Sequence, residues 1–156
     1  RDLHSFPTRR SSDLFSVNIR GDQGAWDALK LAKQPDVWLL QETWLNDNKA
    51  NAFRCFAFSK GFVAYTQNGQ PRAGNQVTGS GGVAVLVRRG LPQKFGAKFS
   101  KDDCQGLWVW VHGLFLGSIY AAPHEHCPQT ACCGFLDALV SANVKPSNKW
   151  FLGGDF

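Results

Sequence analysis

The chain has 156 residues, Lys+Arg 17 against Asp+Glu 12 for a formal net charge of +5, an apolar fraction of 44%, and no methionine. This composition excludes an intrinsically disordered, collagen-like or coiled-coil chain. No run of about 18 apolar residues is present, so no membrane span is visible, and the length fits one globular domain.

Residues 1–14 read as foreign to that domain. One back-translation of Arg1-Asp2-Leu3-His4-Ser5-Phe6-Pro7-Thr8-Arg9-Arg10-Ser11-Ser12-Asp13-Leu14 reproduces a common short-read sequencing adapter. Such segments are set aside before fold reasoning. The expectation is a disordered, adapter-derived leader over 1–14 and a domain over 15–156. The absent methionine then follows from a replaced start. The rest of the chain stays mildly basic, which is compatible with a polyanionic partner.

Phe15 to Ile19 form a short β-type run, ended by Arg20-Gly21-Asp22. Ala25, Ala28, Leu29 and Ala32 recur at helical spacing, and Gln34-Pro35-Asp36 stops that helix. Val37-Trp38-Leu39-Leu40 follows as an apolar run of strand length. The unit is strand, helix, strand, with a connection long enough for a parallel crossover. Between Asn46 and Gly82 the pattern is weaker. Phe53, Phe56 and Phe58 suggest packing, Phe62-Val63-Ala64-Tyr65 suggests a strand, and the Gly-, Gln- and Asn-rich stretch from Thr66 to Gly82 reads as a loop. Gly79-Ser80-Gly81-Gly82 lacks the Lys-Ser/Thr of a phosphate loop and reads as a flexible entry to the next strand.

Val83 to Val87 is a clear strand. Lys94, Lys98 and Lys101 recur near Phe95 and Phe99; a phosphate-contacting stretch is one reading, and a solvated loop or edge strand is preferred. Arg88-Arg89 carries the same ambiguity. Leu107–Val111 and Leu114–Tyr120 flank a His112-Gly113 hairpin turn. Cys132, Phe135, Leu136, Leu139 and Val140 make a helical stripe, and Trp150-Phe151-Leu152 opens a last strand. Several strands are apolar on both faces, so both faces should be covered.

Polar residues end several of these strands: Asn18, Gln41-Glu42, Tyr120 and Asp155. Ligands gather at strand ends in open α/β sheets, and a carboxylate there suits Mg²⁺. Each acid alone reads more simply as a cap or surface charge; the set of four is harder to dismiss. His124, His126, Cys127, Cys132 and Cys133 fall within ten residues. Their spacing matches no closed zinc motif, so a loop is preferred to a Zn²⁺ site. Five cysteines without a framework favour reduced thiols in an intracellular or nuclear setting.

Five segments resemble the endonuclease/exonuclease/phosphatase superfamily, in that family's order. They are Asn18-Ile19-Arg20-Gly21, Pro35-Asp36-Val37-Trp38-Leu39-Leu40-Gln41-Glu42-Thr43, Gly81-Gly82-Val83-Ala84-Val85-Leu86-Val87, Ile119-Tyr120-Ala121-Ala122-Pro123 and Leu152-Gly153-Gly154-Asp155-Phe156. The Pro-Asp…Gln-Glu-Thr block is the most specific. The resemblance implies the N-terminal part of a four-layer α/β/β/α sandwich of DNase I type, with the C-terminal part missing. It implies phosphoester hydrolysis by an activated water with Mg²⁺, or Mn²⁺ in its place. By residue, Glu42 matches the metal-ligating glutamate and Asn18 the asparagine that arranges metal and phosphate. Tyr120 matches the phosphate-contacting tyrosine, and Asp155 the aspartate that orients or deprotonates the water.

Arg20 stands where many nuclease members carry an acid. The Asn-x-Arg-Gly form resembles the endonuclease modules of non-LTR retroelements, which implies DNA as partner. The family's later asparagine, aspartate and Asp-His pair have no counterpart in the sequence, so the chain itself is expected to be inactive. Two alternatives stand beside the DNA endonuclease: a phosphatase or phosphodiesterase acting on a lipid or small phosphoester, and a non-catalytic remnant that at most binds nucleic acid.

Overall fold

The computed structural model describes residues 13–72, 75–101, 104–121, 133–134, 137, 140 and 149–155; for 70–72, 75–80, 101 and 155 it describes the backbone alone. The elements in order are β1 (Leu14–Asn18), α1 (Asp22–Ala28), β2 (Val37–Gln41), α2 (Asp47–Ser59), β3 (Phe62–Gln67), β4 (Gln70–Arg72), β5 (Asn75–Ser80), β6 (Val83–Arg88), β7 (Gln93–Lys101), β8 (Cys104–Val111), β9 (Leu114–Ala121) and β10 (Lys149–Asp155). Leu14, the last residue of the segment set aside on sequence, opens β1.

Two four-stranded sheets form, in the orders β1-β2-β6-β3 and β10-β9-β8-β7. The α1 crossover places β2 parallel to β1, as its length allowed, and β10 lies parallel to β9. The remaining neighbours in both sheets are antiparallel. β1 lies against β10 and β3 against β7, so the sheets are stacked strand over strand.

Period-two alternation divides the core. Val37 and Leu39 of β2, with Val83, Val85 and Val87 of β6, face Leu107, Val109 and Leu116 of the second sheet. Trp38, Leu40, Ala84 and Leu86 face the other way, onto Ala25 of α1 and Ala50, Phe53 and Ala57 of α2. Both faces of the central strands are therefore covered, which explains their unbroken apolar sequence. On the outer face of the second sheet Trp108 and Phe115 gather Phe99, Trp110 and Leu152. The helical Gly134 packs there against the Phe99 ring. The architecture is the α/β sandwich with two sheets that the sequence implied.

Two expectations change, at residues 66–82 and at the cysteines, and the phenylalanines gain an element. The stretch from Thr66 to Gly82 is not a loop: β3 continues to Gln67, and β4 and β5 pair as a hairpin. Backbone pairing needs no apolar side chains, so the polar sequence concealed it. The phenylalanines at 53, 56 and 58 lie on α2, a helix capped by Asn46, whose side chain accepts from Lys49 N. Cys104, buried at the start of β8, is disulfide-bonded, so the expected free thiols hold, among the described residues, only at Cys55 and Cys133. Sequence spacing carries no information on which thiols a fold brings together. β7 is the edge strand preferred for Lys94, Lys98 and Lys101, and His112-Gly113 is the hairpin turn, both residues at positive φ. His124, His126, Cys127 and Cys132 lie outside the described residues, as do Phe135, Leu136 and Leu139 of the helical stripe; Val140 is helical.

Candidate active site

Asn18 ends β1 and Gln41 ends β2 in direct register, so the next residue, Glu42, is delivered beside Asn18. Asn18 Nδ2 donates to Glu42 Oε1 at 2.9 Å, and Asn18 Oδ1 accepts from Arg20 N at 3.0 Å. The backbone repeats the link: Ile19 N donates to Gln41 O at 3.1 Å and Gly21 N to Glu42 O at 2.7 Å. Arg20, Glu42 and Trp44 take positive φ, at 49°, 53° and 50°. Left-handed backbone at non-glycine residues costs of order 1–3 kcal/mol each and persists only where the surroundings enforce it. Here the enforcement is visible, since Thr43 N and Trp44 N donate to the carbonyls of Gly82 and Gly81 at 3.1 and 2.9 Å.

Tyr120 and Asp155 occupy the corresponding level of the second sheet. Asp155 pairs with Tyr120, Tyr120 with Gln105, and Gln105 with Ser100. Tyr120 is 7% exposed. The position of Asp155 is fixed by the backbone of β10, which can approach β1 because residue 153 is glycine. A Cβ there would stand 2.8 Å from Ser16 Cβ and 2.9 Å from Leu39 Cδ1. The structure thus brings Asn18 and Glu42 into contact and sets Tyr120 opposite Asp155.

A buried polar clamp joins the two pairs, and sequence reading missed its partners. Gln41 Nε2 donates to Ser118 Oγ at 2.9 Å, and Ser118 Oγ donates to Leu40 O at 2.9 Å. Gln41 Nε2 also lies 3.2 Å from Leu39 O and 3.3 Å from Ser16 Oγ. Gln41 precedes Glu42, and Ser118 stands two residues before Tyr120. The clamp therefore fixes the distance between the sheets immediately behind the site. The retrievable signal was a glutamine and a serine inside otherwise apolar strands, each requiring a partner when buried.

Gly81 and Gly82 complete the wall. They are buried, with φ of 71° and 83°. Gln105 Oε1 accepts from Gly82 N. A Cβ on Gly81 would stand 2.7 Å from the Tyr120 ring, and one on Gly82 would stand 2.8 Å from Thr43 Oγ1. This segment is a packed corner and not the flexible entry its composition suggested.

The endonuclease/exonuclease/phosphatase family model matches residues 15–156. Among solved structures, the human Nocturnin catalytic domain with bound sulfate is 15% identical with a TM-score of 0.61, covering 89% of this chain and 61% of that one. The 3′ phosphatase NExo from Neisseria, bound to a product DNA hairpin, is 18% identical with a TM-score of 0.60, covering 94% and 58%. The endonuclease domain of TRAS1, a telomere-specific non-LTR retrotransposon, is 14% identical with a TM-score of 0.54, covering 93% and 58%. The chain spans 58–61% of the length of these three, and at such identities the likeness concerns the fold. No curated protein sequence matches. The family match over residues 15–156, with two stacked sheets and Asn18 and Glu42 joined at their strand ends, shows that the chain belongs to the endonuclease/exonuclease/phosphatase family.

Proposed function

We propose that the chain is part of a divalent-metal-dependent DNA endonuclease of the retroelement kind, which hydrolyses the phosphodiester backbone. The observation that carries the reading is the Asn18–Glu42 hydrogen bond at the paired ends of β1 and β2. Mg²⁺ favours oxygen ligands, keeps several waters, and is commonly held by one or two carboxylates plus substrate phosphate. Glu42 is such a carboxylate: half-buried, at a strand end, with one oxygen fixed by Asn18.

In this reading Mg²⁺, when bound, would supply polarisation of a phosphoryl oxygen and offset the developing charge. Glu42 would hold the ion. Asn18 keeps the Glu42 carboxylate in place and is the second candidate ligand through its amide oxygen. The Tyr120 hydroxyl would donate a hydrogen bond to the phosphate. Asp155 orients the attacking water and takes its proton, which requires hydrogen-bond reach. DNA is supported as substrate by the Asn-x-Arg-Gly form and by the DNA-bound and retrotransposon neighbours.

Mn²⁺, a paramagnetic substitute for Mg²⁺, tests the metal site directly. It should broaden the amide resonances of Asn18 and Glu42, with reversal by EDTA, and Glu42→Gln should abolish the effect. Undiminished broadening in Glu42→Gln would remove Glu42 from the site. The same reading has the 156-residue chain bind without cutting; EDTA-sensitive nicking of supercoiled plasmid by the chain would overturn that part.

A further inference from the structure

A second polar recess lies at the same end of the sandwich, on the side away from β1 and β10. It has a volume of about 450 Å³, and its walls include Arg54, Lys98, Thr66, Asn68, Ser100 and Asp47. α2 contributes Arg54, β3 contributes Thr66, and β7 contributes Lys98 and Ser100. The recess sits at the mouth between the two outer strands β3 and β7.

Its chemistry suits an anion. The Arg54 guanidinium is held in place, since Nη1 donates to Thr66 Oγ1 at 2.8 Å and Nη2 donates to Asn51 Oδ1. A guanidinium has five N–H donors in a fixed fork, so a fork anchored at two of them still presents donors to a ligand. Lys98 is exposed and forms no ion pair with any described residue. The one carboxylate among the described residues of the wall, Asp47, accepts from Asn68 Nδ2 at 2.6 Å. Among the described residues, two cations, one of them pre-positioned, therefore face one hydrogen-bonded acid. An anchored arginine fork suits phosphate geometry, and a lysine on its flexible stem adds a point charge.

Its placement relates it to Glu42. Asn18, Gln41, Val83 and Gln67 form one row across the first sheet. Tyr120, Gln105 and Ser100 form the matching row in the second. At about 4.8 Å between strands, the recess lies two strands, or about 10 Å, from both β2 and β9. Successive phosphates of one DNA strand advance about 3.4 Å along the helix axis but also wind around it, so they stand further apart through space and about one or two steps cover that span.

We propose that the Arg54–Lys98 recess is a backbone-phosphate subsite, which holds a nucleic-acid strand about one or two nucleotides from the phosphodiester at Glu42. This rests on the nucleic-acid reading given above. The contact is to phosphate, so it fixes register without reading sequence.

The test is fluorescence anisotropy of the chain with two short duplexes of unrelated sequence, in EDTA, across a KCl series. Arg54→Gln and Lys98→Gln should each weaken both duplexes alike and reduce the slope of log K against log[salt] by about 1. Lys30→Gln, in an exposed i,i+3 pair with Asp27, should leave the slope unchanged. Thermal melts confirm that the variants are folded, which the exposure of Arg54 and Lys98 favours. Inorganic phosphate, followed by NMR at the Arg54 and Lys98 side chains, is the second probe. Duplex binding with unchanged slopes in both variants would overturn the subsite and leave the endonuclease reading intact. Phosphate-induced shifts without any duplex binding would overturn the nucleic-acid assignment, of the recess and of the site alike, and leave only an anion pocket. No response to either ligand would overturn both.

Discussion

Ser118→Ala removes one oxygen atom from the centre of the molecule, and its cost follows from the clamp. Ser118 is fully buried, accepts from Gln41 Nε2 and donates to Leu40 O, both at 2.9 Å. A typical intramolecular hydrogen bond contributes about 0.5–1.5 kcal/mol net, and an orphaned buried group costs about 1–3 kcal/mol. Gln41 Nε2 retains weaker partners at 3.2 and 3.3 Å, so its loss is partial. The sum is about 2–3 kcal/mol. With a urea slope of about 2 kcal/mol/M, the unfolding midpoint should fall by about 1–1.5 M. Gln41→Leu should cost a similar amount. The double variant leaves neither partner orphaned, so it should cost less than the two singles added, by about 1–2 kcal/mol. Urea melts of the four proteins, followed by tryptophan fluorescence, measure this. A Ser118→Ala midpoint within about 0.3 M of the parent would refute the clamp, as would strict additivity. The site supplies a second readout: if the clamp sets the spacing behind Glu42, Ser118→Ala should also weaken Mn²⁺ binding.

Three further outcomes follow from the same geometry. Gly81→Ala must displace the Tyr120 ring while holding φ at 71°; a loss of about 2–3 kcal/mol should lower Tm by about 5–10 °C, and an unchanged Tm would show that the corner yields. Arg88→Ala removes a 2.7 Å ion pair to Asp36, bonds to the carbonyls of Gln34 and Pro35, and a cation over the Phe62 ring. The pair is partly exposed, so about 1–2 kcal/mol is expected in a urea melt, and no measurable change would assign the bonds no net value. Burial raises the Tyr65 phenol above its ordinary value of 10.0. The unfolded chain then loses this proton first, so stability holds below about pH 10 and declines as pH rises through the folded value. Absorbance titration of a Tyr120→Phe variant at the tyrosinate band isolates Tyr65, and a midpoint at or below the ordinary value would contradict the shift.

How much was legible in sequence depended on whether an element announces itself through apolar side chains. β2, β6 and the β8–β9 hairpin did, because both of their faces are buried and their residues are largely apolar. Asn18, Glu42, Tyr120 and Asp155 were legible as polar ends of such strands and as positions in the family's pattern. The structure adds that Asn18 binds Glu42 directly and that its amide oxygen takes the Arg20 amide. The β4–β5 hairpin was illegible, because its residues are mostly Gly, Gln, Asn and Thr and its order comes from backbone pairing. α2 was missed because Phe56 and Phe58 blurred the stripe of Ala50, Phe53 and Ala57; the Asn46 cap would have marked its start. The clamp was invisible because Gln41 and Ser118 lie 77 positions apart, and only the stacking of the sheets makes them neighbours.

The place of β6 bears on how the chain is made. β6 separates β2 from β3 in the first sheet, so β2 has no antiparallel partner until residue 88 exists. At about 5–20 residues per second, the Val37–Gln41 strand leaves the ribosome some 2–10 s before the strand that covers its edge. Through that interval the nascent chain carries an open apolar template of the kind that pairs with other chains. Chaperone dependence during synthesis should therefore be greatest while residues 42–88 are being added, and should fall once β6 is seated.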